Sequence, residues 1–132
     1  MNYLGLDLGT RTLGLAISQG LIATSLKTIR YETDDELLKE LINVIEEYKI
    51  DVLVLGFPKN MNNTIGPRAE SVLDFKKRLE NLGYKVELQD ERLSTVSAHN
   101  YMIEADISRK KRKKKVDALA ATIILQTFLD RR

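Results

Sequence analysis

Apolar positions along the chain follow two rhythms, short alternating or unbroken runs and longer stretches with a three-to-four-residue spacing, the signatures of strands and of amphipathic helices. Tyr3 to Leu8 and Thr12 to Ser18 are short apolar segments joined by Gly9, Thr10 and Arg11, and Ala23 to Tyr31 alternates as a third strand, so the first part reads as an antiparallel meander. Thr33 and Glu36 have capping-box spacing, after which Leu37, Leu38, Leu41, Ile42, Ile45 and Tyr48 recur on one helical face until about Lys49. DVLVLG at 51–56 reads as a short buried strand. Pro67 opens a second helix with Val72, Phe75, Leu79 and Leu82 inward and Gly83 as its stop, and Lys85 to Gln89 form a fifth strand. Ser94 caps a third helix reaching about Asp106. Asp117 to Phe128 form the last, whose inward face carries Ala120, Ala121, Ile124, Leu125 and Phe128 together with Asp117 itself.

The predicted order is βββαβαβαα. A meander followed by strands alternating with helices implies an α/β fold: a mixed five-stranded sheet, its later strands parallel, with helices on both faces. No linker or repeat divides the chain, and 132 residues suit one domain whose core needs neither disulfide nor metal to fold.

Charge changes this picture at one place. The segment RKKRKKK, Arg109, Lys110, Lys111, Arg112, Lys113, Lys114 and Lys115, precedes Asp117 by two residues. The chain's formal charge is +2, so removing these seven cations leaves −5, and the basicity is local. Such a run is expected to be an exposed loop, either a solvated handle or a patch for a polyanion. Cysteine is absent, which excludes thiol chemistry and Cys-based zinc sites. Asp7, Arg11 and several glycines within the first 20 residues do not make a signal peptide, and no apolar run approaches the ~18 residues of a membrane span. The expectation is a soluble cytoplasmic protein.

Ligands of such sheets bind where strands end and their order reverses. Three acids fall near such places: Asp7 in the first strand, Glu91 just after the fifth and Asp117 on the last helix. A carboxylate in an apolar strand needs a metal or an arginine, and Arg11 across the turn is the simplest structural partner. Glu91 and Asp117 can each be read as acids serving a helix end or an ion pair. If the three converge, their repulsion requires divalent cations, and hard oxygen donors without Cys or clustered His favour Mg²⁺ or Mn²⁺. Two such ions activate a water and stabilise a leaving oxygen at a phosphodiester, with the basic run holding flanking phosphates. His99, the sole histidine, falls inside a predicted helix and is read as a packing or surface residue rather than part of a Ser/His/Asp triad. FPKNMNNTIGPR lacks Walker spacing, yet it follows a buried strand and precedes a helix, so Gly66 and Arg68 are either phosphate contacts or part of a simple turn.

Over nearly the whole chain, GLDLGTRTLGLAIS at 5–18, GFPKNMNNTIGPRAE at 56–70, DERLST at 90–95, IEADISRKKRKKKVDALAA at 103–121 and the terminal IILQTFLD resemble the YqgF/RuvX family, similar to the RuvC resolvases and RNase H-like in fold. The resemblance implies a nuclease proposed to mature the 5′ end of pre-16S ribosomal RNA, with an older proposal as Holliday-junction resolvase. Its three acids fall on Asp7, Glu91 and Asp117, and Arg11, Arg68 and Arg92 join the basic run as expected nucleic-acid contacts. RNase H-like nucleases often present four carboxylates, whereas here Ala120 and Ala121 occupy the next two positions on Asp117's face. Asp90 is a poor substitute, because adjacent residues of an extended segment point to opposite sides. GLDLGT also resembles the phosphate loop of actin-like ATPases and sugar kinases, but those close two domains over a nucleotide. A third reading is a non-catalytic nucleic-acid-binding factor that acts through partners in ribosome assembly. The expected partner is structured RNA, branched DNA being the alternative, and a monomer is favoured over a weak dimer.

Overall fold

A computed structural model describes residues 1–58, 67–90 and 109–131, the side chains of 67 and 109–118 excepted. Strands β1 (Tyr3–Leu8), β2 (Thr12–Ser18), β3 (Thr24–Arg30), β4 (Val52–Phe57) and β5 (Lys85–Asp90) form one sheet in the order β3-β2-β1-β4-β5. β1–β2 and β2–β3 are antiparallel, the expected meander, while β1–β4 and β4–β5 are parallel. The chain thus builds outward from β1 in one direction and resumes on its other side, so the strand order reverses at the β1/β4 boundary. The C-terminal ends of β1, β4 and β5 share one edge, where such sheets place their ligands.

Strand alternation sorts side chains onto two covered faces. Leu4, Leu6, Leu13, Leu15, Leu53 and Leu55 pack against α1 (Asp34–Glu47) and α2 (Pro67–Asn81). Tyr3, Ala16, Val52 and Val54 pack against α3 (Arg109–Arg131) on the opposite face. β4 is buried at every position because both of its faces are covered, which explains its unbroken apolar sequence. The expected α/β architecture with helices on both faces is therefore observed. The helix expected from Ser94 to about Asp106 lies outside the described residues.

Helix α1 begins as its sequence predicts: Thr33 Oγ1 accepts a hydrogen bond from the Glu36 N–H at 3.2 Å, and Glu36 Oε2 accepts one from the Glu32 N–H at 3.1 Å. Thr33→Ala should cost about 1 kcal/mol and Thr33→Ser almost nothing, measured by urea unfolding. Equal stability of both variants with the parent would show the cap to be energetically silent.

Three expectations need correction. Leu82 is half exposed rather than inward, because α2 has ended and the chain turns through Gly83 at φ 97° before β5. Tyr48 caps α1 at the surface, 38% exposed, and Val44 takes an inward place instead. The basic run is helical, not a loop: α3 starts at Arg109 and includes all seven cations. Lys and Arg are good helix formers, and like charges four residues apart cost only a few tenths of a kcal/mol, so a helix packed farther along can extend through them.

Candidate active site at the end of β1

Asp7 stands next to last in β1, 7% exposed, on the face that carries α3. The register of β1 against α3 is fixed by two contacts. The Tyr3 and Phe128 rings lie 6.2 Å apart. At Gly5 the backbones meet so closely that an added Cβ would stand 2.7 Å from Leu125 Cβ and 2.9 Å from the Ala121 carbonyl oxygen. Strand and helix therefore run in opposite directions, and one helical turn of ~5.4 Å matches about two strand residues. Continuing that register by one step brings Asp7 level with the turn of α3 that holds Asp117, four residues before Ala121. Ala120 and Ala121 are fully buried, and their small size permits the approach.

Across the sheet, Gly5 pairs with Val54 and Leu6 with Leu55, while Gly56 pairs with Gln89. The next row on Asp7's face is thus Asp7, Gly56 and Gln89, with no side chain at its middle. Gln89 is 6% exposed; its Nε2 donates to the Asp90 carbonyl at 3.2 Å, while Oε1 accepts no hydrogen bond among the described residues. Sequence reasoning missed this residue. Its only signal was an amide at an alternation point of a strand covered on both faces. Asp90 pairs with Phe57 and alternates to the α1/α2 side, away from Asp7.

The arginine nearest Asp7 is not the expected one. Arg11 pairs with Glu32 at 2.9 Å, both groups more than 70% exposed, an ion pair worth little. The Arg11 carbonyl accepts from the Tyr31 N–H at 3.1 Å, which ties the turn toward β3 and away from Asp7. Arg68, in the first turn of α2, instead brings Nη2 to 3.6 Å from Asp7 Oδ1 and donates to the Leu8 carbonyl at 3.2 Å. Gly9 N–H donates to the Thr12 carbonyl at 2.7 Å, and the Tyr31 hydroxyl to the Gly9 carbonyl at 2.9 Å, so the turn beyond Asp7 is braced from two sides. Burial and then the nearby Asp34 charge raise the Tyr31 pKa, keeping that hydroxyl a donor at neutral pH. A cavity of about 490 Å³ opens beside this turn on the α1/α2 side, lined by Gly9, Thr10, Arg68, Ser71 and Arg78 among others; Asp7 does not line it.

Glu91, Arg92, Gly66 and His99 lie outside the described residues, and of Asp117 and the seven cations only the backbone is described. Among the described residues no group of three or more His, Cys, Asp or Glu side chains is placed to hold a metal ion by itself. The described part of the site nevertheless fits a hard cation: a buried carboxylate at a fixed strand end, an amide oxygen in its row that no described residue engages, a glycine between them and only oxygen donors. No helix among the described residues is long and apolar enough to cross a membrane.

A family model described as "RuvX: Holliday junction resolvase" matches residues 1–131. A protein of Clostridium botulinum (strain Alaska E43) named "Putative pre-16S rRNA nuclease" is 51% identical over 134 residues, covering 99% of this chain and 98% of its own. A relative of the same name from Geobacillus kaustophilus is 52% identical, covering 98% of each chain. Among solved structures, Thermus thermophilus RuvC in complex with a Holliday junction substrate superposes with a TM-score of 0.60 at 15% identity, covering 99% of this chain and 95% of its own. The Fowlpox virus resolvase bound to junction DNA gives 0.59 at 13% identity, covering 99% and 98%. The fold is that of the RuvC-like, RNase H-type resolvases, and the full-length family match places the chain in the RuvX family.

Proposed function

We propose that residues 1–132 form a single nuclease domain that hydrolyses phosphodiester bonds with Mg²⁺ or Mn²⁺, acting in the cytoplasm on the 5′ end of pre-16S ribosomal RNA. The observation that carries this reading is Asp7: a buried carboxylate at the strand-order reversal, in a chain half identical over its length to relatives named for that activity. Asp7, Glu91 and Asp117 are the proposed metal ligands and catalytic groups. The bound cation supplies charge neutralisation at the phosphate and an activated water.

The chain's own residues do the rest. Asp7 is held rigidly by a central strand, so its carboxylate needs no reorganisation when substrate arrives. Arg68 compensates the Asp7 charge at 3.6 Å and, being half exposed, can turn its outer side to a substrate phosphate. Arg11, Arg68, Arg92 and the run Arg109 to Lys115 are the proposed phosphate-binding residues. Cations in the first turns of α3 oppose the helix dipole, a local misfit that a bound polyanion relieves. Replacing three lysines of the run by Gln should flatten the dependence of log K on log salt by roughly 0.7 to 0.9 for each phosphate no longer neutralised, with turnover at saturation changing less. An unchanged salt slope would make the run a bystander.

A resolvase reading is favoured by the family description and by the junction complexes of similar fold. It requires a twofold dimer that nicks two strands symmetrically. The exposed apolar pair Leu21 and Ile22 sits at the β2–β3 turn, the sheet edge opposite Asp7, and offers only a small patch for one. We favour a monomer that cuts an unpaired strand beside an RNA duplex. Ultracentrifugation with cleavage of a labelled precursor-rRNA fragment and a mobile four-way junction in one buffer tests this. A monomer cutting the RNA is expected; paired symmetric junction nicks from a dimer, with the RNA intact, would establish the resolvase instead.

A further inference from the structure

Gln89 is buried on the face of Asp7, yet one end of its amide has no partner among the described residues. The Nε2 donates to the Asp90 carbonyl, which fixes the amide orientation, since reversing it would set oxygen against oxygen. That leaves Oε1 as a buried acceptor that no described donor satisfies, a condition native interiors rarely tolerate without a purpose. Its place in the sheet supplies one. Gly56, the residue between Asp7 and Gln89 in their row, has no side chain, so no side chain of the sheet stands between theirs on the α3 face. Their strands are two spacings apart, roughly 10 Å. Two carboxamide or carboxylate side chains leaning inward, with ~4 Å between oxygens across one hydrated cation, span that distance.

We propose that Gln89 is a neutral oxygen donor of the metal centre, the fourth position of a site whose three acids are Asp7, Glu91 and Asp117. This rests on the metal-nuclease reading above. It answers the lack of a fourth carboxylate on α3, where Ala120 and Ala121 are buried against the sheet. A neutral donor adds coordination without adding negative charge, so the site is electrostatically less repulsive when empty and binds its cation less tightly than a four-carboxylate site. Glutamine rather than glutamate at this position therefore sets affinity.

The test is Mn²⁺ binding to the full-length protein without nucleic acid, followed by calorimetry and by the rise in melting temperature that saturating Mn²⁺ produces. Gln89→Met keeps chain length and removes the oxygen; Gln89→Glu restores it with a charge. Expected are a tenfold or greater loss of Mn²⁺ affinity and a smaller metal-induced rise in Gln89→Met, and tighter binding than the parent in Gln89→Glu, with all metal-free proteins folded by circular dichroism. If Gln89→Met and Gln89→Glu both bind Mn²⁺ within twofold of the parent while Asp7→Asn abolishes binding, the Gln89 assignment fails alone. If the parent binds no Mn²⁺, or Asp7→Asn binds it as the parent does, the metal reading fails and this inference with it. Should Gln89→Met not fold, Gln89→Glu decides: weaker or equal Mn²⁺ binding overturns the proposal.

Discussion

Asp7→Asn is expected to lose about 10³-fold or more in kcat, with the fold intact. The substitution keeps the shape of the side chain and removes the charge that a divalent cation requires; a cation at the phosphate supplies several kcal/mol of transition-state stabilisation, and each ~1.4 kcal/mol is tenfold in rate. The metal-free variant should melt no lower than the parent, because a neutral amide is cheaper to bury than a carboxylate at 7% exposure. Single-turnover cleavage with saturating enzyme separates this effect from weakened binding. Activity within tenfold of the parent, or full activity in EDTA, would sink the metal-nuclease account.

The second large effect concerns Gly5, where strand and helix backbones are in near contact. Leu125 Cβ and the Ala121 carbonyl, which would lie 2.7 and 2.9 Å from a new Cβ, belong to or adjoin the helix backbone and cannot rotate away. Gly5→Ala should cost roughly 1–3 kcal/mol and Gly5→Val more, out of a total stability on the order of 5–15 kcal/mol. Valine has the better strand propensity, so intrinsic preference alone predicts the opposite sign. Whatever fold survives must shift α3 away from β1, and with it the turn that carries Asp117, so hydrolysis should fall even where the protein remains folded. Urea unfolding midpoints check the first part, and cleavage at a temperature below the transition checks the second. A Gly5→Val protein as stable as the parent would show that β1 and α3 do not approach as described.

Periodicity carried most of the fold. β1 and β2 have the predicted bounds, β3 and β4 differ by one residue at each end and β5 by one at its last, and the Thr33 cap and the Pro67 and Gly83 signals mark real helix boundaries. These features are local: they depend on alternation, on caps and on the two residues whose backbones are special. What stayed hidden is tertiary. Nothing in the run of cations says that α3, anchored by Ile124, Leu125 and Leu129, extends through it to Arg109. The choice of Arg68 over Arg11 as the arginine nearest Asp7 depends on how α2 sits on the sheet, sixty positions along the chain. Gln89 was invisible for the same reason. An amide in a strand becomes informative only when the residue beside it in the next strand is a glycine and the one beyond is Asp7, a row that register sets and sequence spacing does not.

The central claim is that a divalent cation sits at the end of β1, and anomalous diffraction from crystals soaked in Mn²⁺ tests it most directly. A manganese peak is expected at roughly 2.0–2.3 Å from an Asp7 carboxylate oxygen, on the α3 face of the sheet, and should vanish in Asp7→Asn crystals treated alike. Full soaks that leave this position empty, or place manganese only at surface acids remote from Asp7, would contradict the account.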